Sequence, residues 1–197
     1  MAGSPLSACA ECILEVGGSI EELFTGEKTI IKVLSPDDLL TRLFATANVT
    51  KETAFLRSLA HARPSLRILE IGGSTGQSTS SLIRDLTLPH GVSLYQSFTF
   101  TDPSSTAIAD AKKQFQGLDH VEFRVLDIAT DPAEQGFKED EKFDLVVATN
   151  YVHATPSLSG SLTNIRKLLA PGGRLLLQEI SMEIKWINCI LGFLDDW

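Results

Sequence analysis

The chain has 197 residues, 43% hydrophobic and 21% charged, the composition of a globular protein of single-domain size. Its formal net charge of −8 argues against a nucleic-acid backbone as partner. No basic segment leads into an apolar run at the start, and the apolar stretch over 186–194 is too short and interrupted to cross a bilayer, so no membrane association and a cytoplasmic location are expected.

Residues 1–62 read as a helical cap or lid, distinct from 63–197. Apolar spacing over 6–16 is helical, and Gly17-Gly18-Ser19 breaks it. Cys9 and Cys12 have the spacing of a redox or zinc pair, but no second pair completes four ligands. They read as small hydrophobes on one helix face, and no metal site is expected. Residues 29–34 suggest a short strand or an irregular link. Ser35 and Pro36 read as the N-cap and first position of a helix whose buried stripe is Leu39, Leu40, Leu43 and Phe44. A further helix over 54–62 ends before Pro64.

From Ser65 onward strands and helices alternate, the signature of a parallel sheet with right-handed crossovers. The first strand ends the run Leu66, Ile68, Leu69, Ile71 at Gly72-Gly73, and a polar helix over 75–86 follows. Glycines at 72, 73 and 76 supply positive φ and would admit the close approach of a ligand. Further strands are expected over 94–101, 121–126, 143–148 and 174–180, the last after a sharp Pro171-Gly172-Gly173 turn; helices are expected over 107–115 and 158–169, and a last amphipathic segment over 186–197. No Gly-Lys-Ser/Thr closes the glycine turn, which excludes a Walker loop, and Ser74 and Gln77 depart from a dinucleotide fingerprint.

Ligands of open α/β sheets bind at the carboxyl ends of the strands. Glu70, Asp102, Asp127 and Asn150 stand at four such ends. Asp102 is placed to accept from ribose hydroxyls, Asp127 or the neighbouring backbone to reach an adenine edge. A cleft of acids without an anchoring lysine suits a cationic, phosphate-free nucleoside such as S-adenosylmethionine. His153 follows the fourth strand and Glu179 lies near the end of the fifth, so both reach the same rim, where a carboxylate that orients an imidazole suits proton abstraction. His61, His90 and His120 fall at helix ends or in loops.

Several stretches taken together give the chain a family likeness: Leu69-Glu70-Ile71-Gly72, Phe100-Thr101-Asp102, Val125-Leu126-Asp127-Ile128, Asp131-Pro132-Ala133-Glu134-Gln135-Gly136-Phe137, Phe143-Asp144-Leu145-Val146, Asn150 with His153-Ala154-Thr155, Arg166-Lys167-Leu168-Leu169, Pro171-Gly172-Gly173 and Glu179-Ile180. Residues 65–197 resemble the C-methyltransferase domain of fungal highly reducing polyketide synthases. The resemblance implies a Rossmann-like class I methyltransferase fold with strand order 3-2-1-4-5. It implies S-adenosylmethionine as cofactor, with Glu70, Gly72, Gly73, Ser74, Gly76, Asp102, Asp127, Ile128 and Asn150 as cofactor-binding positions. It also implies a β-ketoacyl polyketide substrate, free or on a carrier protein, deprotonated by the positions matching the family's His–Glu pair, His153 and Glu179.

The chain departs from the family at Ser74 and Gln77 in the glycine turn, in the length of its lid, and at its end, where the family continues into a last helix and two strands. A truncated sheet with the fifth strand as exposed edge is therefore expected, with a homodimer or a covering helix there. Two alternatives keep the same fold: a non-methylating polyketide cyclase that uses His153 or Glu179 as acid or base, and a non-catalytic partner of a polyketide synthase.

Overall fold

The computed structural model describes residues 7–47, 53–180 and 185–193. They fall into two compact units, one from residues 1–49 and 180–197 and the other from residues 50–179. The first unit is helical. Helix α1, Ser7–Gly18, buries Ala8, Cys9, Cys12 and Val16. The glycines end it one residue before α2, Ile20–Thr25, begins, and Gly26 closes α2 in the left-handed conformation. Residues 29–34, expected to be a strand or a link, form helix α3, Ile30–Leu34. The Thr29 side chain accepts from the Lys32 N–H, and Ile30, Val33 and Leu34 share one buried stripe at helical spacing. Ser35 is not the N-cap the sequence suggests. Its backbone is helical, and its hydroxyl donates back to the Ile31 carbonyl at 2.6 Å. A 3-10 turn at Pro36–Asp38 intervenes before α4, Leu39–Ala47. Both cysteines of α1 lie in this core, where burial pushes the Cys12 thiol up to about 11.

In the second unit α5, Thr53–Ala62, packs under a sheet rather than with the N-terminal helices, because its stripe of Leu56, Leu59 and Ala60 fills the space below Leu66 and Ile68. The helical unit therefore ends before α5, not at residue 62, and takes up residues 180–197 instead. Strand β1, Arg67–Ile71, leads to α6, Gln77–Asp85; β2, Ser97–Asp102, to α7, Ser105–Gln114; and β3, Val121–Val125, through a 3-10 turn at Pro132–Gln135 to β4, Phe143–Thr149. Helix α8, Leu158–Leu168, precedes β5, Leu169–Gln178, and α9, Lys185–Leu191, belongs to the first unit.

Within the sheet every pairing is parallel and the order is β3-β2-β1-β4-β5, as the alternation and the family likeness predict. Side chains alternate between two cores. Ile68, Phe98, Phe100, Leu145 and Val147 meet α5, α6 and α7, while Leu69, Ile71, Val146 and Ala148 meet Ile128, Phe137 and α8. Ile68, Leu69 and Ile71 are fully buried, each contributing about 1.5–3 kcal/mol, so the central strand is held rigidly and its end is a fixed platform. β5 starts earlier than the sequence suggests. Phe143 pairs with Leu169 and Leu145 with Arg174, so residues 170–173 bulge out of the ladder, Gly172 at φ +70°.

Candidate active site at the carboxyl ends of the strands

The chain leaves β1 through a turn closed by the Gly76 N–H on the Gly73 carbonyl at 2.8 Å. Each glycine is required by an aromatic ring. A Cβ on Gly72 would lie 2.2 Å from Cγ of Tyr151, one on Gly73 2.1 Å from Cε2 of Phe100, and one on Gly76 2.7 Å from Cε2 of Phe115. The small residues therefore serve internal packing, and Ser74 and Thr75 are the exposed part of the turn. Ser74 holds φ +48°, and its N–H donates to Oδ2 of Asp102 at 2.9 Å, which offsets the cost of that conformation. Asp102 Oδ1 accepts from the Ser104 N–H at 2.9 Å. The acid of β2 thus ties the turn to the strand that follows it in the sheet.

Glu70 has a different place from the one expected. It is fully buried, and its carboxylate accepts from the Ser78 and Thr79 hydroxyls, both at 2.6 Å. It braces the first turn of α6 from beneath and lies apart from the open rim. Burial pushes its carboxyl up to about 7, against the two hydroxyl bonds that pull it down.

Beyond β3, Asp127 caps its own turn, accepting from the Ala129 N–H at 2.9 Å. Gln135 fixes this loop from the other side: its Oε1 accepts from the Asp127 N–H and its Nε2 donates to the Asp127 carbonyl, each at 2.8 Å. Asn164 on α8 donates to the carbonyls of Ile128 and Thr130 at 2.9 and 3.1 Å. Ile128 itself points into the core. Sequence reasoning missed Gln135 and Asn164 as the loop's anchors. Their signals were a glutamine inside the quoted 131–137 stretch and an amide on the apolar stripe of α8.

At the end of β4, Asn150 adopts φ +51° and donates its N–H to the Gln178 carbonyl at 2.7 Å, which turns the chain towards β5. A 3-10 turn, Val152–Ala154, follows. Glu179 Oε1 accepts from the Val152 N–H at 2.9 Å, and Oε2 meets Nδ1 of His153 at 2.5 Å. The carboxylate is therefore fixed by backbone and grips one ring nitrogen, an arrangement that sets the imidazole's direction and tautomer. Tyr151, between Asn150 and this pair, went unnoticed in the sequence. Its ring lies on Gly72, and burial together with the charges of Asp127 and Asp102 raises its phenol to about 12. So Ser74 and Asp102 meet at the glycine turn, Asp102 and Asp127 both bear on the Tyr151 phenol, and His153 in the turn after β4 pairs with Glu179 just beyond β5, while Glu70 and Ile128 are buried.

Residues 69–175 match the family described as methyltransferase domain. The highly reducing polyketide synthase lcsB of Purpureocillium lilacinum is 41% identical over 177 residues, which cover 90% of this chain and 7% of that synthase. The crystal structure of the trans-methyltransferase CalH complex with SAH superposes with a TM-score of 0.87 at 37% identity, over 100% of this chain and 55% of CalH. The citrinin polyketide synthase CMeT domain follows at a TM-score of 0.78 and 26% identity, over 97% of this chain and 52% of that one. The chain thus spans a small fraction of the synthase and about half of each solved structure. The matched segment is more than half of the sequence and contains the glycine turn, both rim acids and the β4 loop: the chain belongs to the methyltransferase domain family.

Proposed function

We propose that this chain is an S-adenosylmethionine-dependent C-methyltransferase acting on the α-carbon of a β-ketoacyl polyketide, with His153 as general base and Glu179 as its orienting carboxylate. The observation that carries the proposal is the His153–Glu179 pair, pinned by the Val152 N–H at the end of β4. The donor set fits the cofactor. The groups around the glycine turn are acids and a neutral phenol, suited to a cation without phosphates, and Thr149 Oγ1 at the end of β4 is buried with no hydrogen-bond partner among the described residues. Asp102, Asp127 and Asn150, with the turn from Gly72 through Ser74 to Gly76 and the backbone at Ile128, would hold it.

When bound, S-adenosylmethionine supplies an electrophilic methyl group on a sulfonium. The protein's own work is proton handling. With Nδ1 engaged by Glu179, Nε2 of His153 takes the proton from the α-carbon. The C–H electron pair stays on the substrate and delocalises into the flanking carbonyls, so the carbon becomes the nucleophile. Glu179 balances the imidazolium that forms and keeps it from turning away. The proton leaves His153 to solvent after the new C–C bond has formed.

Calorimetric titration with S-adenosylhomocysteine tests the cofactor half of this reading. The parent protein binds at micromolar concentration, Asp102→Ala weakens binding at least tenfold, and His153→Gln binds as the parent does. No binding by the parent at millimolar concentration would overturn it.

A further inference from the structure

Tyr151 is placed by three independent constraints. Its Cβ, Cγ and Cδ2 fill the space that a Cβ on Gly72 would need. Its carbonyl accepts from the Ala154 N–H at 3.1 Å, which holds it at the head of the turn that carries His153. Its ring packs at the edge of the core that includes Ile71, Leu126 and Ile128. The ring therefore crosses from the dyad's loop to the glycine turn.

Asp102 is bonded at 2.9 Å to the Ser74 N–H, two residues beyond the Gly72 on which the ring lies, and with Asp127 it acts on the Tyr151 phenol. The phenol makes no hydrogen bond among the described residues. Burial and these charges keep it protonated throughout the neutral range, so it is a fixed donor in a place where the other side chains are acceptors. Carboxylates take hydrogen bonds from a ligand's hydroxyl or amino groups. A neutral phenol beside them gives one to a ring nitrogen or to a hydroxyl oxygen. An acceptor-donor set of this kind matches a nucleoside, whose sugar hydroxyls both give and receive and whose purine ring presents bare nitrogens.

We infer that Tyr151 is a further cofactor-contacting residue, its hydroxyl donating to the nucleoside part of the methyl donor between Asp102 and Asp127 while its ring sets the spacing between the glycine turn and the His153 loop. The inference rests on the reading of the chain as an S-adenosylmethionine-dependent enzyme and adds to it a residue and the end of the ligand that it reads.

The test compares Tyr151→Phe with the parent for two probes, S-adenosylhomocysteine and 5′-methylthioadenosine, which keeps the nucleoside and lacks the amino-acid end. Phenylalanine retains the ring on Gly72, so the folded state is kept, and thermal unfolding checks this. Loss of one hydrogen bond to the nucleoside weakens both probes by the same factor, about fivefold. Unchanged affinity for both probes would overturn the inference, as would tighter binding, which would make the hydroxyl an obstruction. Weakening of S-adenosylhomocysteine alone would also overturn it, by placing the hydroxyl at the amino-acid end. A parent protein that binds neither probe overturns the cofactor reading itself, a result distinct from all of these.

Discussion

Glu70 shows how far one side chain's role depends on what surrounds it. A carboxylate at the end of a buried strand costs free energy unless it is protonated or hydrogen-bonded, and here Ser78 and Thr79 supply two hydroxyls at 2.6 Å. They offset part of the desolvation, yet the group still titrates near 7. Its folded pKa lies above the ordinary 4.5, so the native state holds this proton more tightly than the unfolded chain does. The contribution to stability is full below about 4.5 and is lost as pH rises through about 7, on the order of 3 kcal/mol over that window. Glu70→Gln removes the titration and keeps a side chain that can bond both hydroxyls. Unfolding temperatures of parent and variant between pH 4.5 and 8 check this: the parent loses stability relative to the variant as pH rises. Parallel curves would contradict it.

At the scale of elements, the glycine turn is held by rings from elsewhere in the chain. Gly73→Ala pushes a methyl into Phe100 and is expected to destabilise by about 2 kcal/mol, as overpacked cores do. Phe100→Leu in the same chain makes room, so a double-mutant cycle in urea should show a favourable coupling between the two; simple additivity would mean that the ring is not the obstacle. This element also shows which features were legible in the sequence. The apolar run 66–71 and the paired glycines announced strand and turn, because backbone conformation is a local property. That the glycines make room for Phe100, Phe115 and Tyr151 was not legible, since those rings arrive from β2, from just past α7 and from the loop after β4. The same limit applies to Glu70, whose acid was noticed but whose two hydroxyl partners in the first turn of α6 were not. Residues 29–34 failed for another reason. Ile30, Ile31 and Val33 are β-branched and favour strand, yet Thr29 as cap and a buried stripe at helical spacing outweigh that preference.

For the whole molecule, strand order followed from alternation and from the dispersed stretches shared with polyketide synthase methyltransferase domains, because a parallel sheet with right-handed crossovers leaves few topologies open. The division between units did not follow, because α5 has the composition of the preceding helices but the packing of the sheet. What the assembled sheet does is bring two clusters to one rim: acids and a phenol around the glycine turn, and the pair formed by His153 after β4 and Glu179 after β5. The central claim is that the first cluster holds a methyl donor while the second deprotonates a carbon. The measurement that tests it most directly is transfer of an isotope-labelled methyl group from S-adenosylmethionine to a short β-ketoacyl thioester, with His153→Gln alongside. The account predicts label on the α-carbon with the parent and at least a hundredfold slower transfer with the variant, although the variant still binds S-adenosylhomocysteine. An unlabelled acceptor from a parent protein that binds the cofactor, or equal transfer by the variant, would contradict it.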